Sequence, residues 1–107
     1  MNKKRMSQIE RKMATIQKTL GRIGPMRPGS LTRQYHNPKK RTGAYWQLSY
    51  TRRMKSHTEY VRPEWVPEIR KQIATYKRLM SLIERWIDLS IERSKLQMRI
   101  AKQAGSK

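Results

Sequence analysis

The sequence contains no cysteine and only 7 acidic side chains. The lack of cysteine excludes disulfides, thiolate metal ligands and cysteine nucleophiles. No apolar run approaches the roughly 18 residues that a membrane-spanning helix requires. The basic start Met1–Arg5 leads into an amphipathic stretch rather than an apolar one. We therefore expect neither a secretory signal nor an association with a membrane.

The groups on which enzymes rely are scarce as well. The chain has two histidines, His36 and His57, and neither has a carboxylate close in sequence to orient it as a base. Two imidazoles without thiolates fall short of a zinc site. Glu84, Asp88 and Glu92 follow one another at four-residue spacing, which favours exposed carboxylates that pair with nearby cations. We expect no catalysis, no cofactor and no metal.

Positive charge is what the sequence has in excess. It contains 26 lysines and arginines, giving a formal net charge of +19. Self-repulsion at this charge is relieved by a polyanion, and nucleic acid is the obvious one. No acidic residue lies between Glu10 and Glu59, whereas basic residues are frequent there. The binding surface is therefore expected in the middle of the chain.

The apolar pattern predicts a helix at each end of one small domain. A first helix over residues 3–21 carries a heptad pattern formed by Met6, Ile9, Met13, Ile16, Leu20 and Ile23. Gly24 and Pro25 end it. The predicted segments are a basic helix over 1–24, a basic antiparallel sheet region over 25–63, and a long helix in 64–107. A length of 107 residues favours a single domain that contains all three.

The middle segment predicts two or three antiparallel strands. Leu31–Tyr35 is a weak first strand, and His36–Gly43 is a basic loop. Ala44–Thr51 is the best strand because it is rich in aromatic residues. Arg52–Ser56 is expected to be a hairpin loop and His57–Val61 the returning strand. Side chains alternate along the central strand, so one face should carry Tyr45, Gln47, Ser49 and Thr51, and the other should pack on a helix through Trp46, Leu48 and Tyr50. Trp65 and Trp86 are also expected in the core.

The long helix is predicted over residues 66–103 and has two apolar seams. The first contains Ile69, Ile73, Tyr76, Met80, Ile83 and Ile87, and the second contains Leu79, Leu82, Trp86, Leu89, Leu96 and Ile100. Two seams call for two apolar neighbours, so we expect a homo-oligomer or a larger protein partner on this helix. The alternative is a monomer in which one seam packs on the sheet and the other on the first helix.

Cationic loops flank the central strand on both sides. Basic loops can hold phosphates while side chains of a strand touch bases or sugars. The candidate nucleic-acid-binding residues are Arg33, Lys39, Lys40, Arg41, Tyr45, Gln47, Arg52, Arg53 and Lys55. The cations are expected to bind phosphates, and Tyr45 and Gln47 are expected to contact sugar or base.

Three motifs resemble a known family. They are PGSLTRQY at 28–35, GAYWQLSYTR at 43–52 and YVRPE at 60–64, with YKRL at 76–79 matching a later Tyr-x-x-L element. The resemblance covers about residues 25–95 and points to a small, uncharacterised bacterial and archaeal domain family of unknown function. Members usually carry a C-G-x-x-G-C-x-C loop, where this chain has His36–Thr42. A metal held by that loop in relatives would be lost here.

These observations predict an α+β protein with an N-terminal helix, a small antiparallel sheet and a long C-terminal helix with coiled-coil-like seams. Such a sheet followed by a helix is similar to the arm-type DNA-binding domains of tyrosine integrases. We expect a cytoplasmic, non-enzymatic nucleic-acid-binding protein, with DNA favoured, as an accessory subunit of a mobile-element, phage or ribonucleoprotein complex. The alternatives are a structural RNA-binding component and a protein-interaction module that docks through its long helix.

Overall fold

The computed structural model of the chain describes residues 2–105 and confirms the predicted α+β class. The elements are α1 (Asn2–Leu20), β1 (Ser30–Asn37), β2 (Thr42–Arg52), β3 (Lys55–Val61), a 3₁₀ turn (Pro63–Trp65) and α2 (Val66–Gly105). None of the helices in these residues is long and apolar enough to cross a membrane.

The three strands form one antiparallel sheet in the order β1-β2-β3. Leu48 at the centre of β2 lies opposite Leu31 of β1 and Glu59 of β3. Both connections are hairpins, so the sheet contains only local pairings. The sequence predicts two or three strands, and the structure has three.

Residues 24–77 form one compact unit, in which the start of α2 covers one face of the sheet. Its core consists of buried Leu48, Val61, Val66 and Ile73, and these half-buried side chains pack against it: Leu31, Trp46, Tyr50 and Ile69. The predicted apolar face of β2 is therefore confirmed. The expectation for Trp65 is wrong, because this side chain lies in the 3₁₀ turn and is 56% exposed.

Residues 2–23 and 78–105 form the second unit, a pair of antiparallel helices. The Arg5 guanidinium donates two hydrogen bonds to Glu92, at 2.6 and 2.8 Å. Asn2 donates a hydrogen bond to Gln103 near the C-terminal end of α2. The Arg5 guanidinium also lowers the pKa of the Glu92 carboxyl. Ile9, Ile16 and Leu96 are buried, as the heptad pattern of the first helix and the second seam of the long helix predict.

The two hairpin loops are shorter than predicted. Asn37 pairs with Thr42 across the first hairpin, so the loop contains only residues 38–41, and His36 and Gly43 belong to strands. Arg52 pairs with Lys55, which leaves a two-residue turn. Strand pairing extends into both predicted loops, because polar side chains on a solvent-exposed face are compatible with an antiparallel sheet.

Gly29 immediately precedes β1 and lies close to the core and to β2. Its φ is +142°, a conformation that other residues avoid. A Cβ built on Gly29 would lie 2.7 Å from Cδ1 of Leu48 and 3.2 Å from the Ser49 carbonyl oxygen. Since Leu48 is fully buried, it cannot move away freely. At Gly24, by contrast, an added Cβ would meet nothing within 4 Å, and the backbone has no such conformation.

We predict that Gly29→Ala destabilises the protein by about 2 kcal/mol or more, because it adds backbone strain to overpacking. Gly24→Ala is the matched control and should leave the free energy of unfolding within about 0.5 kcal/mol of wild type. Urea denaturation followed by circular dichroism measures both. Equal stabilities for the two variants would contradict the packing described for Gly29.

Candidate nucleic-acid interface

The sheet face opposite Leu48, called the outer face, is polar and uncharged. The strand register places the following residues on it: Ser30, Thr32, Gln34, His36, Gly43, Tyr45, Gln47, Ser49, Thr51, Ser56, Thr58 and Tyr60. All are exposed except Tyr45 and Gln47, which are half-buried. Hydroxyl, amide and aromatic groups therefore line a surface that contains no lysine, arginine or carboxylate.

Local contacts order part of the outer face and leave donors free at its centre. The rings of His36 and Tyr45 stack with their centroids 4.6 Å apart. Gln34 donates to the Thr32 hydroxyl at 3.1 Å. Among residues 2–105, the Gln47 side-chain amide has no hydrogen-bond partner. An amide held on a strand with free donor and acceptor groups can bond to the edge of a base.

Cationic turns lie at both ends of β2. The first turn carries Lys39, Lys40 and Arg41, and the Asn37 side-chain oxygen fixes it by accepting a 3.2 Å hydrogen bond from the Lys40 amide. The second carries Arg53 at its tip. β2 contains 11 residues, so the turns lie about 35 Å apart along the strand.

The second turn keeps a cation in a conformation that favours glycine. Arg53 and Met54 have φ values of +52° and +66°, which is the signature of the two-residue turns where Asn-Gly is preferred. Holding ordinary residues there costs on the order of 1–2 kcal/mol each. Met54 is 97% exposed and gains no packing in return. The turn therefore retains Arg53 at a conformational cost.

The nine predicted binding residues are divided between different surfaces. Tyr45 and Gln47 lie on the outer face, and the turns carry Lys39, Lys40, Arg41 and Arg53. The opposite face of the sheet, which carries Leu48, holds the other three, Arg33, Arg52 and Lys55. The structure does not bring these three together with Tyr45 and Gln47.

Several residues of the outer face were absent from the sequence prediction. Thr32, Gln34 and His36 alternate with Leu31, and Thr58 and Tyr60 alternate with Val61. Since Leu31 and Val61 are apolar, two-residue periodicity alone indicates that their neighbours face away from the core. That signal was present in the sequence.

Three arginines on or beside the inner face, which carries Leu48, lie over aromatic rings, and one of them also pairs with a carboxylate. Arg27 lies 5.1 Å from the centre of the Tyr50 ring and donates a 3.0 Å hydrogen bond to Glu59, which also accepts one from the Tyr50 hydroxyl. Arg33 lies over Tyr35 and Arg70 over Trp46. The Arg27 hydrogen bond lowers the pKa of Glu59, and the Tyr50 hydroxyl adds to this effect.

In the part of the chain that the structure describes, no three histidine, aspartate or glutamate side chains lie close enough together to hold a metal ion. His57 stacks on Tyr50 with the ring centroids 5.0 Å apart, and His36 stacks on Tyr45. Both imidazoles therefore take part in ring stacking within the sheet.

The fold and this surface define a class: a basic α+β protein with a helix-backed three-stranded sheet whose free face is polar and flanked by cationic turns. The chain belongs to the family described as domain of unknown function (DUF6788), whose model matches residues 3–71. The match includes α1 and the whole sheet, and so begins earlier than the motifs quoted above. No curated protein and no solved structure matches the chain.

We predict that acid weakens unit 24–77 through Glu59. Because the folded-state pKa of Glu59 lies below its ordinary value of 4.5, its ion pair with Arg27 contributes fully above that pH. The contribution disappears as the pH falls through the folded-state pKa. Urea denaturation of wild type and Glu59→Gln at pH 7 and pH 3 measures this. The difference between them should shrink at pH 3, and a constant difference would contradict the assignment.

Proposed function

We propose that this protein is a non-enzymatic accessory protein that binds duplex DNA, with the outer face of the sheet in the major groove. The observation that carries the proposal is the composition of that face, which is polar and uncharged between two cationic turns. Phosphate contacts position a protein on DNA, whereas contacts to base edges provide specificity. The turns supply the first kind of contact and the outer face supplies the second.

The size of the sheet supports insertion into the groove. Three strands spaced about 4.8 Å apart measure about 10 Å from edge to edge of the backbone. The major groove is about 12 Å wide and admits strands as well as helices. Small hydroxyl side chains at Ser49, Thr51 and Thr58 allow the backbone to approach the bases, and Gln47 offers the paired donor and acceptor that adenine matches.

The positions of the cations assign them separate roles. Lys39, Lys40, Arg41 and Arg53 lie at the turns, so in this complex they reach phosphates at the two ends of the stretch of groove that the sheet occupies. Arg52 and Lys55 border the second turn and add to its positive charge. Arg33 lies over Tyr35 on the inner face, so we assign it no contact with bases.

We predict that replacing Lys39, Lys40 and Arg41 together with alanine lowers the salt dependence of binding. Loss of three phosphate contacts should reduce the slope of log affinity against log salt by about 2–3. The control replaces Lys3, Lys4 and Arg11, three exposed cations of α1, with alanine and changes the net charge equally. Fluorescence anisotropy with duplex DNA across a salt series measures both variants.

Equal slope changes for the two triple variants would mean that only net charge matters, and would refute the proposed role of the first turn. The same titrations include single-stranded DNA and structured RNA, each with excess duplex DNA as competitor. RNA binding that survives this competitor would favour the structural RNA-binding alternative, because shape-specific recognition of RNA does not depend on the DNA groove.

We predict that Gln47→Glu weakens duplex binding at least tenfold, because a carboxylate at the centre of the outer face would enter the groove unpaired. Gln17→Glu, an exposed position on α1, introduces the same charge elsewhere and should weaken binding much less. The two dissociation constants are compared at one salt concentration. Equal losses would exclude the outer face as the surface that contacts DNA.

A further inference from the structure

The later part of α2 carries an apolar stripe that stays exposed among the described residues of its unit. Met80, Ile87, Ile91 and Met98 are 40, 46, 50 and 63% exposed. Their spacings of seven, four and seven residues place them on one face of the helix, in a heptad pattern. Leu96, on the opposite side of α2, is buried. This stripe continues the first predicted seam beyond Ile87.

Small residues lie between the apolar ones along the stripe. Ser90 and Ser94 line the same shallow groove as Ile87, Ile91 and Met98. Alternating large and small side chains form the knobs and holes into which another helix packs. The groove therefore has the form of a helix-packing surface.

The charge beside the stripe differs from that of the rest of the chain. Residues 80–99 contain four basic and three acidic side chains, so they differ by one charge, whereas the whole chain carries +19. Asp88 and Lys95 lie on one flank of the stripe, before and after Ile91. Glu84, seven residues before Ile91, lies at the edge of the stripe itself, and Arg99 lies farther out on the same side. None of these four makes an ion pair within residues 2–105.

We propose that the stripe binds a second copy of this chain, with the two α2 helices antiparallel. A two-fold axis between Ile91 and Glu92 sets the acids of each copy opposite the bases of the other. Asp88 then faces Lys95, and the symmetry repeats this pair, while Glu84 lies at the height of Arg99. In an antiparallel pair each flank meets itself, whereas a parallel pair brings opposite flanks together. The charge order thus selects the antiparallel arrangement.

The interface is small. The stripe from Met80 to Met98 is about 27 Å long at 1.5 Å per residue. An interface of one helix face lies below the standard size of stable complexes, so we expect a reversible dimer in the micromolar range. The nearly neutral segment lets two strongly basic chains approach each other here without local repulsion.

The test is sedimentation velocity of the full chain, free of nucleic acid, over concentrations from about 1 μM to about 1 mM. Wild type should shift from monomer to dimer across this range. Ile91→Asp should remain monomeric with unchanged circular dichroism, because Ile91 is half exposed and supports no core. Met54→Asp removes an exposed apolar side chain in the sheet unit and should dimerise as wild type does.

A charge exchange tests the orientation. Asp88→Lys should weaken the dimer at least tenfold, because it sets two lysines opposite each other at both symmetric positions. Adding Lys95→Asp in the same chain should restore it. A wild type that stays monomeric, a dimer that survives Ile91→Asp, or a double variant no tighter than Asp88→Lys would each overturn the proposal. A foreign partner on this stripe would give the first of these outcomes.

Discussion

The burial of Leu48 is the contact on which the sheet unit depends. Leu48 lies at the centre of the middle strand and packs with Val61, Val66 and Ile73, the last two from the start of α2. One helix can cover only one face of a sheet. Because the core requires α2 on the inner face, the unit leaves the outer face free, and the polar alternation along all three strands follows from that single constraint.

The inner face also has to accommodate several arginines next to its small core. Positions next to a small core would ordinarily exclude arginine, since unpaired buried charge is costly. Here Arg27, Arg33 and Arg70 lie over Tyr50, Tyr35 and Trp46. A guanidinium can stack its flat face on an aromatic ring. Arg33 and Arg70 do so at exposed positions, whereas Arg27 also pairs with Glu59 and leaves its buried Nε without a hydrogen-bond partner among residues 2–105. The aromatic residues of the inner face thus let a strongly basic sequence form a packed sheet.

Periodicity made most of the fold predictable, and it fails where a turn sets the register. The helices, the central strand and its apolar face follow from apolar spacing, and the positions of Arg33 and Arg52 could have been found by the same alternation from Leu31 and Leu48. Alternation from Val61 would also have placed Lys55, but Arg52–Ser56 was predicted to be a loop. The structure extends β3 to Lys55 through a two-residue turn at Arg53-Met54 that these residue types disfavour. Trp65 was misplaced because hydrophobicity alone does not reveal a 3₁₀ turn at the surface.

In the proposed binding of DNA, the separation of charge from the outer face matters for recognition as well as for folding. At +19, attraction to any nucleic acid is strong, and it carries no sequence information. Selectivity must come from groups that contact the bases. A lysine or arginine at the centre of the face would lose much of its hydration in a groove, whereas hydroxyl and amide groups exchange water for base edges at little cost. In the function that we propose, a neutral face between cationic turns would therefore combine electrostatic attraction with the capacity to discriminate.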